Sequence, residues 1–424
     1  MPRAPRGTND VLPAQQHYWE HVETEAESIC KIFGFDRIRL PMFEDSSLFV
    51  RGIGEATDVV EKEMYTFLDR GGDSLTLLPE GTASVCRAYI QHGMHTMVQP
   101  VRLFYFSPIF RYERPQSGRY RQHHQFGVEA LGSEDPIIDA EIIELARSFL
   151  NRLGLYDTTL FVNSIGCPTC RVPYGKILRE YYQAKLDTMC QDCQSRYSRA
   201  PLRLLDCKKP TCQPLALDAP HTIDHLCSDC SQHWEQLLNY LSAINIPFEI
   251  RHSIVRGLDY YTKTVFEFQP NNEAGSQTTI LAGGRYDGLI SQIGGPSTPA
   301  IGFGSGIERL VMNIQALQAR SPADNERPVV ITAAGSVDQH ILVQKAAELR
   351  SQNIYTTIVP SGKSMKAQMR YAGAINARFV IVLGEQELSS GVIQVKDMDS
   401  GSQEEISATS LPGHIISRLQ STQS

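Results

Sequence analysis

A short segment of the sequence gathers an arginine, a carboxylate and two phenols around one glycine. It reads Arg256-Gly-Leu-Asp-Tyr-Tyr-Thr-Lys-Thr-Val-Phe-Glu-Phe268. The apolar residues Val265, Phe266 and Phe268 are typical of a β-strand, so the polar groups before them would lie at the mouth of that strand, where loops present binding groups. So dense a set of polar groups is rarely structural, and we expect it to form a ligand site.

A second group of reactive side chains is a cluster of cysteines. Eight of the ten cysteines lie within residues 167–230, and no signal peptide precedes them to favour disulfides. The first two Cys-x-x-Cys pairs are separated as two zinc knuckles would be, and two four-cysteine zinc sites would use all eight thiolates. Such sites leave no open ligand position, so the expected zinc is structural, with metal-free buried or redox thiols as the alternative. The candidate ligands are Cys167, Cys170, Cys190, Cys193, Cys207, Cys212, Cys227 and Cys230.

Length and composition bound the class of protein. A chain of 424 residues favours two or three domains, and 42% hydrophobic and 21% charged residues are typical of a soluble globular protein. The formal charge of −7 argues against a nonspecific nucleic-acid coat, so any RNA contact would use local patches. No apolar run approaches the ~20 residues that a membrane-spanning helix needs, and we expect a cytoplasmic protein.

Periodicity predicts the elements that would position these groups. Helical spacing predicts a helix over residues 17–33 and another that begins after Asp135 and ends before Gly154. Residues 101–113 and 120–131 are predicted to form two antiparallel strands. Because side chains alternate along a strand, one face of the second strand would carry the polar residues Arg121, His123, Gln125 and Glu129.

The end of the chain has a different pattern. Residues 321–328 are polar and bounded by prolines, which predicts a linker. Short apolar runs at 329–333, 354–359 and 379–383 then alternate with helical segments near 338–351 and 363–374. This alternation predicts a small α/β domain.

Four segments together resemble one enzyme family. The segment 256–268 resembles the signature of histidyl-tRNA synthetases, and Ala282-Gly-Gly-Arg-Tyr-Asp-Gly-Leu289 matches their second signature. The segment Ile301-Gly-Phe-Gly-Ser-Gly-Ile-Glu-Arg-Leu310 is similar to motif 3 of class II aminoacyl-tRNA synthetases, and residues 104–132 resemble motif 2. The resemblance implies an α+β catalytic domain on a mixed, mainly antiparallel sheet, with a small insertion domain and a C-terminal α/β anticodon-binding domain.

The domain boundaries that follow from this resemblance are these. The catalytic domain would comprise residues 1–166, with motifs 1 and 2, and residues 236–320, with the histidine signatures and motif 3. The cysteine-rich insertion domain would be residues 167–235. After the linker at 321–328, residues 329–424 would form the anticodon-binding domain.

The resemblance also assigns residues to ATP. It implies that Arg111 grips the α-phosphate, Glu113 orients the base and Arg309 holds the distal phosphate. Arg256 would act at the substrate carboxylate and the α-phosphate, since a planar guanidinium bonds two oxygens at once and keeps its charge. Arg121 joins the set from motif 2, and His123 stands where the family has a ring that stacks on adenine. Magnesium would bind the outer phosphates.

The resemblance also implies that a second set of residues recognises histidine. A site that bonds both imidazole nitrogens rejects other side chains because they would leave buried polar groups unpaired. The residues that match this role are Glu80, Thr82, Gln125, Glu129, Arg256, Tyr260 and Tyr261. For Tyr260 and Tyr286 ordinary core packing is an equal alternative. Leu78 departs from the family, which has an arginine there.

The remaining matches concern macromolecular partners. Arg114 and Gln116 correspond to motif 2 loop positions that meet the acceptor end of tRNA. Pro41, in Arg39-Leu-Pro-Met-Phe43, matches motif 1, which implies a homodimer.

The function implied is ATP-dependent ligation of L-histidine to tRNA(His) through a histidyl-adenylate, with release of AMP and diphosphate. The alternative is a noncatalytic synthetase paralogue that acts as a regulatory subunit or as an RNA-binding protein.

Overall fold

A computed structural model describes residues 2–54, 57, 59–115, 118–271, 279–317, 327–360 and 362–420. The chain divides into two compact units, Met1–Ser321 and Pro322–Ser424. Most of the predicted linker, residues 321–326, lies outside the described residues. Among the helices of the described ranges, none has the length and apolar character needed to span a membrane.

The strands, numbered in chain order, are β1 (Asp36–Arg37), β2 (Phe43–Asp45), β3 (Thr66–Leu68), β4 (Ser74–Leu77), β5 (Val101–Phe110), β6 (Gln122–Leu131), β7 (Thr158–Ser164), β8 (Phe248–Ile250), β9 (Thr262–Pro270), β10 (Leu281–Arg285), β11 (Ala300–Gly306), β12 (Val329–Ala334), β13 (Thr356–Ile358), β14 (Phe379–Gly384), β15 (Val392–Asp397) and β16 (Gln403–Ser407).

The α-helices are α1 (Pro13–Ile32), α2 (Ser46–Ile53), α3 (Thr82–Gln91), α4 (Pro136–Arg152), α5 (Pro168–Gln183), α6 (Gln191–Arg199), α7 (Gln213–Leu217), α8 (Ser228–Ala243), α9 (Leu289–Gln292), α10 (Ile307–Ala316), α11 (Gln339–Ser351), α12 (Met365–Ala374), α13 (Glu385–Ser390) and α14 (Leu411–Gln420). Short 3₁₀ or π turns connect them at Val59–Glu63, Met94–Thr96, Leu186–Thr188, Pro201–Leu204 and Thr222–His225.

The first unit is built on one large sheet. Within the described ranges its strand order is β1-β5-β6-β11-β10-β9-β7-β8. The pairs β1–β5 and β7–β8 are parallel, and the five pairs between them are antiparallel. This confirms the predicted mixed, mainly antiparallel sheet. A separate small sheet has the order β2-β4-β3.

The two faces of the large sheet differ in chemistry. Phe126, Val128 and Ala130 of β6 are buried in one core cluster with apolar residues of α1, α4, α8 and α10. Gln125 and Glu129 point to the opposite face, as strand alternation requires. The predicted division of β6 into a polar and a packing face is therefore confirmed, and the polar face is where the site is built.

The cysteine-rich segment leaves this sheet after β7 and returns through α8. Trp234, Leu237 and Leu241 of α8 are buried in the same cluster as α1 and α4. Helix α8 thus crosses the predicted boundary at residue 235 without a break, because its second half packs on the catalytic sheet. The extent of the insertion domain stays a prediction.

The second unit contains a five-stranded sheet in the described part of its chain, with the order β13-β12-β14-β15-β16. Strand β12 lies parallel to both β13 and β14, and β15 and β16 continue antiparallel. Val330 and Val380 face one apolar cluster, and Ile331 and Ile381 face the other. Burial on both faces explains why these strands read as continuous apolar runs.

Candidate functional site

The polar face of β6 has room for its side chains because its neighbour β11 carries glycines. Gly302 pairs with Glu129, and Gly304 with Gly127. A Cβ atom added at Gly302 would collide with the Glu129 carboxylate, and one at Gly304 would lie 2.6 Å from Nε2 of Gln125. The glycines of the Ile301–Gly306 segment therefore keep space for the two polar side chains.

Glu129 is the centre of a buried hydrogen-bond network. It is 1% exposed. Its Oε1 accepts from the Thr82 hydroxyl at 2.8 Å, and its Oε2 accepts from the Tyr286 hydroxyl at 2.5 Å. Burial raises the pKa of Glu129 to about 8, so the carboxyl group is largely neutral near pH 7. A largely neutral carboxyl group can both donate and accept a hydrogen bond.

Glu80 lies beside this network but serves the backbone. Its carboxylate accepts from the amide groups of Thr82 and Ala83, at 2.9 and 2.7 Å, where α3 begins, and from the Tyr260 hydroxyl at 3.2 Å. Burial also raises the pKa of Glu80. These bonds fix Thr82 at the helix start, so Glu80 positions the network as well as bordering it.

Tyr105 belongs to the network and was not among the predicted site residues. Its hydroxyl accepts from Nε2 of Gln125 at 3.0 Å and lies 3.4 Å from Glu129. A side chain at Gly127 would collide with its ring. The signal available in the sequence was strand alternation, which puts Tyr105 on the same face as Arg111 in the predicted strand of residues 101–113.

Next to the network is a cavity of about 790 Å³ lined by the predicted arginines. Nε of Arg111 donates to the Pro79 carbonyl at 2.8 Å, and Nη1 of Arg309 donates to the Thr279 carbonyl at 2.6 Å. Nη1 of Arg256 pairs with Glu267 at 2.8 Å. Because each guanidinium carries five N–H donors, these bonds leave Arg111 and Arg256 with further donors for a ligand.

His123 lines the same cavity. Burial, with the positive charges of Arg111 and Arg309, lowers the pKa of His123 to about 3. The imidazole is therefore neutral at physiological pH and can stack on a flat ring without adding charge.

The remaining motif 2 residues are spread more widely. Glu113 lines the cavity and forms an ion pair with Arg119. The Arg121 guanidinium instead stacks over Tyr112, 4.1 Å from the ring centre, and lines a separate small cavity with Arg114. Gln116 lies outside the described residues. The structure thus brings Arg111, Glu113 and His123 together and leaves Arg114 and Arg121 beside them.

The first signature connects the two parts of the site. Tyr260 and Tyr261 are buried, and the Arg256 guanidinium lies 5.4 Å from the ring centre of Tyr261. Arg256 also borders a second cavity of about 470 Å³ together with Tyr261. Leu78 is fully buried in an apolar cluster, where a charged side chain would be unfavourable.

The eight clustered cysteines form two groups. What we call the outer group consists of Cys167, Cys170, Cys227 and Cys230. The inner group consists of Cys190, Cys193, Cys207 and Cys212. The first two Cys-x-x-Cys pairs therefore belong to different groups, a pairing that the spacing did not assign. The reason is topological, because the segment leaves and rejoins the sheet at one place and so brings its first and last pairs together.

The sulfur geometry fits a tetrahedral metal site. The Sγ separations are 3.7 Å for Cys167–Cys170, 3.9 Å for Cys167–Cys227 and 3.8 Å for Cys190–Cys207. Four sulfurs at 2.3 Å from a zinc ion would lie roughly 3.8 Å apart, whereas a disulfide needs about 2.05 Å. Amide groups of Cys227 and Cys190 donate to Sγ of Cys170 and Cys212. The described thiols are free and are placed as metal ligands would be.

Comparisons with known proteins agree with this geometry. Residues 7–169 and 176–310 match the family model described as histidyl-tRNA synthetase, and residues 329–418 match that of an anticodon binding domain. A histidine–tRNA ligase from Desulforamulus reducens is 47% identical over 407 residues, which cover 96% of this chain and 97% of the relative. One from Acetivibrio thermocellus is 45% identical and covers 99% and 100%.

Solved structures give the same result. The crystal structure of the apo histidyl-tRNA synthetase of S. aureus has a TM-score of 0.83 and 35% identity, and the match covers 98% of this chain and 99% of that one. A Bacillus halodurans structure described as an ATP phosphoribosyltransferase regulatory subunit/histidyl-tRNA synthetase has a TM-score of 0.65 at 20% identity and shares the fold alone. From its motifs, its geometry and these matches, the chain belongs to the histidyl-tRNA synthetase family.

Proposed function

We propose that this protein activates L-histidine with ATP and transfers it to tRNA(His). The observation that carries the proposal is the convergence of Arg111, Arg256 and Arg309 in one cavity beside the buried network of Glu129. The arginines of the cavity would neutralise the two anions that must react, a carboxylate and a phosphate. The Glu129 network would offer hydrogen-bond partners to a ring with two nitrogens. A noncatalytic paralogue would have no need to keep both.

The activation step joins a carboxylate to the α-phosphate of ATP. These anions repel one another until fixed cations offset their charge. Arg256 borders both cavities and would bind the histidine carboxylate and the α-phosphate, with Arg111 on the α-phosphate and Arg309 on the distal phosphate. Glu113 would orient the base and His123 would stack on it, with Arg121 at the edge of the nucleotide site.

Magnesium would enter with the nucleotide. It prefers oxygen ligands and would neutralise charge on the outer phosphates. Glu113, Glu267 and Glu308 line the cavity, so carboxylate oxygens are available there. Glu113 pairs with Arg119, Glu267 pairs with Arg256, and Glu308 accepts from the amide group of His124.

Selection of histidine would come from the buried side. Glu129 and Tyr261 would bind the imidazole, and Glu80, Thr82 and Gln125 would bind the α-amino group, with Tyr260 against the substrate. A wrong side chain would leave these groups unpaired in a buried place, at a cost of about 1–3 kcal/mol each. This is the physical basis for preferring histidine over an apolar residue of similar size.

The second step transfers the histidyl group to the 3′ end of tRNA, and Arg256 would stabilise the departing AMP. Arg114 and Gln116 would meet the acceptor end. The second unit, which matches an anticodon binding domain, would bind the other end of the tRNA.

We also propose that each cysteine group holds one structural zinc ion. The free thiols, the sulfur separations and the amide donors to sulfur support this proposal. Elemental analysis of freshly purified protein should give about two zinc ions per chain, with Cys30→Ala, in α1, as a control that keeps both. Protein without zinc would contradict the proposal.

The homodimer and the cytoplasm are proposed on separate grounds. Phe43 of β2 and Phe67 and Leu68 of β3 are exposed on the same small sheet, next to the exposed Met42 that follows Pro41. An apolar surface of this kind favours a protein partner, here a second copy of the chain. Free thiols suit a reducing compartment, which the cytoplasm provides.

The proposed function is tested by histidine-dependent exchange of labelled pyrophosphate into ATP. The controls are the other amino acids, supplied one at a time to the same folded protein. Exchange with histidine alone would support the activation step, and transfer to tRNA(His) would then be measured with labelled histidine. Absence of exchange with histidine would overturn the proposal.

A further inference from the structure

One wall of the arginine-lined cavity comes from the cysteine-rich segment. Lys208 and Lys209 line this cavity together with Arg111, Arg256 and Arg309. Both lysines are exposed, so their ammonium groups can reach an anion that enters it. Arg196 of α6 and the carboxylates Asp192 and Asp206 line the cavity from the same segment, whereas Arg111, Arg256 and Arg309 come from outside it.

The backbone that carries these lysines is tied at both ends to the inner cysteine group. Cys207 directly precedes Lys208, and Cys212 closes the loop three residues after Lys209. The amide groups of Cys212 and Gln213 donate to the Lys209 carbonyl at 2.9 and 3.0 Å. A metal ion bound by the group would clip this short loop at two points, so its position would depend on the ion.

We propose that Lys208 and Lys209 bind the phosphates of ATP and that zinc in the inner group sets their position. The proposal deepens the nucleotide site and rests on the proposed function. An ammonium group binds phosphate as a compact positive charge, and loop lysines commonly do so. The inner group is therefore a positioning device for substrate contacts, and the two lysines belong to the ATP site.

The direct test replaces both lysines by alanine and measures ATP kinetics in pyrophosphate exchange without tRNA. We expect KM for ATP to rise about tenfold, which is the effect of losing charge-assisted hydrogen bonds, and KM for histidine to stay within about twofold. The double arginine variant should restore most of the ATP affinity. Lys31→Ala removes the same charge from an exposed position of α1 that lines neither cavity, and should leave KM for ATP unchanged.

A second measurement distinguishes lysines that bind the phosphates of ATP from lysines that bind the phosphates of tRNA. If the double alanine variant has wild-type KM for ATP and only its KM for tRNA rises, the lysines serve the RNA and the proposal is overturned. Calorimetric binding of ATP to each variant gives the same answer without turnover. If the wild type shows no exchange, the proposed function fails, and calorimetry still decides whether the lysines bind ATP.

The metal part is tested with Cys190→Ser, because Cys190 belongs to the inner group and does not itself line the cavity. We expect the variant to lose one zinc ion per chain by elemental analysis and to show the same rise in KM for ATP. Cys30→Ala should keep the zinc content and the KM. A folded Cys190→Ser protein that lacks one zinc and keeps wild-type ATP affinity would overturn the positioning role.

If Cys190→Ser fails to fold, the lysine variants and calorimetry test the ATP contact. Zinc removal from wild-type protein with a chelator, followed by ATP calorimetry, then tests the metal part.

Discussion

The buried network around Glu129 and the arginine-lined cavity are adjacent but are held together in different ways. In the network, side chains bond to one another, as Glu129 does to Thr82 and Tyr286. In the cavity, Arg111 and Arg309 donate to main-chain carbonyls, and both side chains line the cavity wall. A set of mutual bonds is suited to recognising one shape, and a set of anchored charges is suited to stabilising anions.

The difference has a physical consequence for each part. Removing one member of the network leaves its partner buried without a hydrogen bond. Removing one arginine leaves the other arginines in place but takes away a charge where negative charge develops during the reaction. Damage to the network should therefore appear in stability and in histidine binding, whereas damage to the cavity should appear in rate and in ATP binding.

The largest effect is expected for Arg256→Ala. This guanidinium borders both cavities, so its loss should lower histidine-dependent exchange about 10³-fold, as for other preorganised donors. The far-ultraviolet circular dichroism spectrum should not change, and Arg256→Lys should recover part of the rate. Turnover near the wild-type level would contradict the assigned role of Arg256.

A smaller effect is expected for Gly302→Ala, because its added methyl group disturbs the network by steric overlap alone. The added methyl group would collide with the Glu129 carboxylate and the Val128 carbonyl, and overpacking of this kind costs about 1–3 kcal/mol. The melting temperature should fall and KM for histidine should rise. Gly306→Ala is the control for folding, because nothing lies within 4 Å of its added Cβ. Equal melting temperatures for the two variants would refute the packing argument.

The protonation of Glu129 predicts a pH dependence of stability. Burial raises its pKa from 4.5 to about 8, so the folded protein retains a proton that the unfolded chain releases in this interval. The stabilising contribution is complete below pH 4.5 and is lost as the pH rises to about 8. The wild-type melting temperature should fall over this range by a few degrees more than that of Glu129→Gln. Parallel curves would show that Glu129 does not carry the proton.

The smallest effect is expected for Arg121→Ala. Arg121 was predicted to bind ATP, but its guanidinium stacks on Tyr112 in a separate cavity. We expect exchange to fall less than tenfold, whereas Arg111→Ala should approach the loss seen for Arg256. Comparable losses for Arg111→Ala and Arg121→Ala would extend the nucleotide site beyond the larger cavity.

Much of this fold could be predicted from the sequence because its patterns are local. The alternation in β6 identified the polar face, and apolar runs identified β12 and β14 of the second unit. The predicted first strand extended to residue 113, whereas β5 ends at Phe110, where its ladder with β6 ends. A period of two does not show where pairing stops.

Parts of the site could not be predicted because they depend on which segments meet. A lone Tyr105 in an apolar strand looks like a core residue until Gln125 and Glu129 are placed beside it. Cysteine spacing gives no information about which pairs join, since that depends on the path of residues 167–230 between β7 and α8. The placement of Lys208 beside the arginines follows from the same path.

The central claim is that the network binds histidine and the cavity binds ATP. It is tested most directly by one set of exchange measurements. KM for histidine and for ATP would be determined for the wild type, Glu129→Gln and Arg309→Ala. The account predicts that Glu129→Gln raises KM for histidine about tenfold and leaves that for ATP unchanged, and that Arg309→Ala does the reverse. If both variants raise both constants equally, the two regions act as one site and the account is wrong.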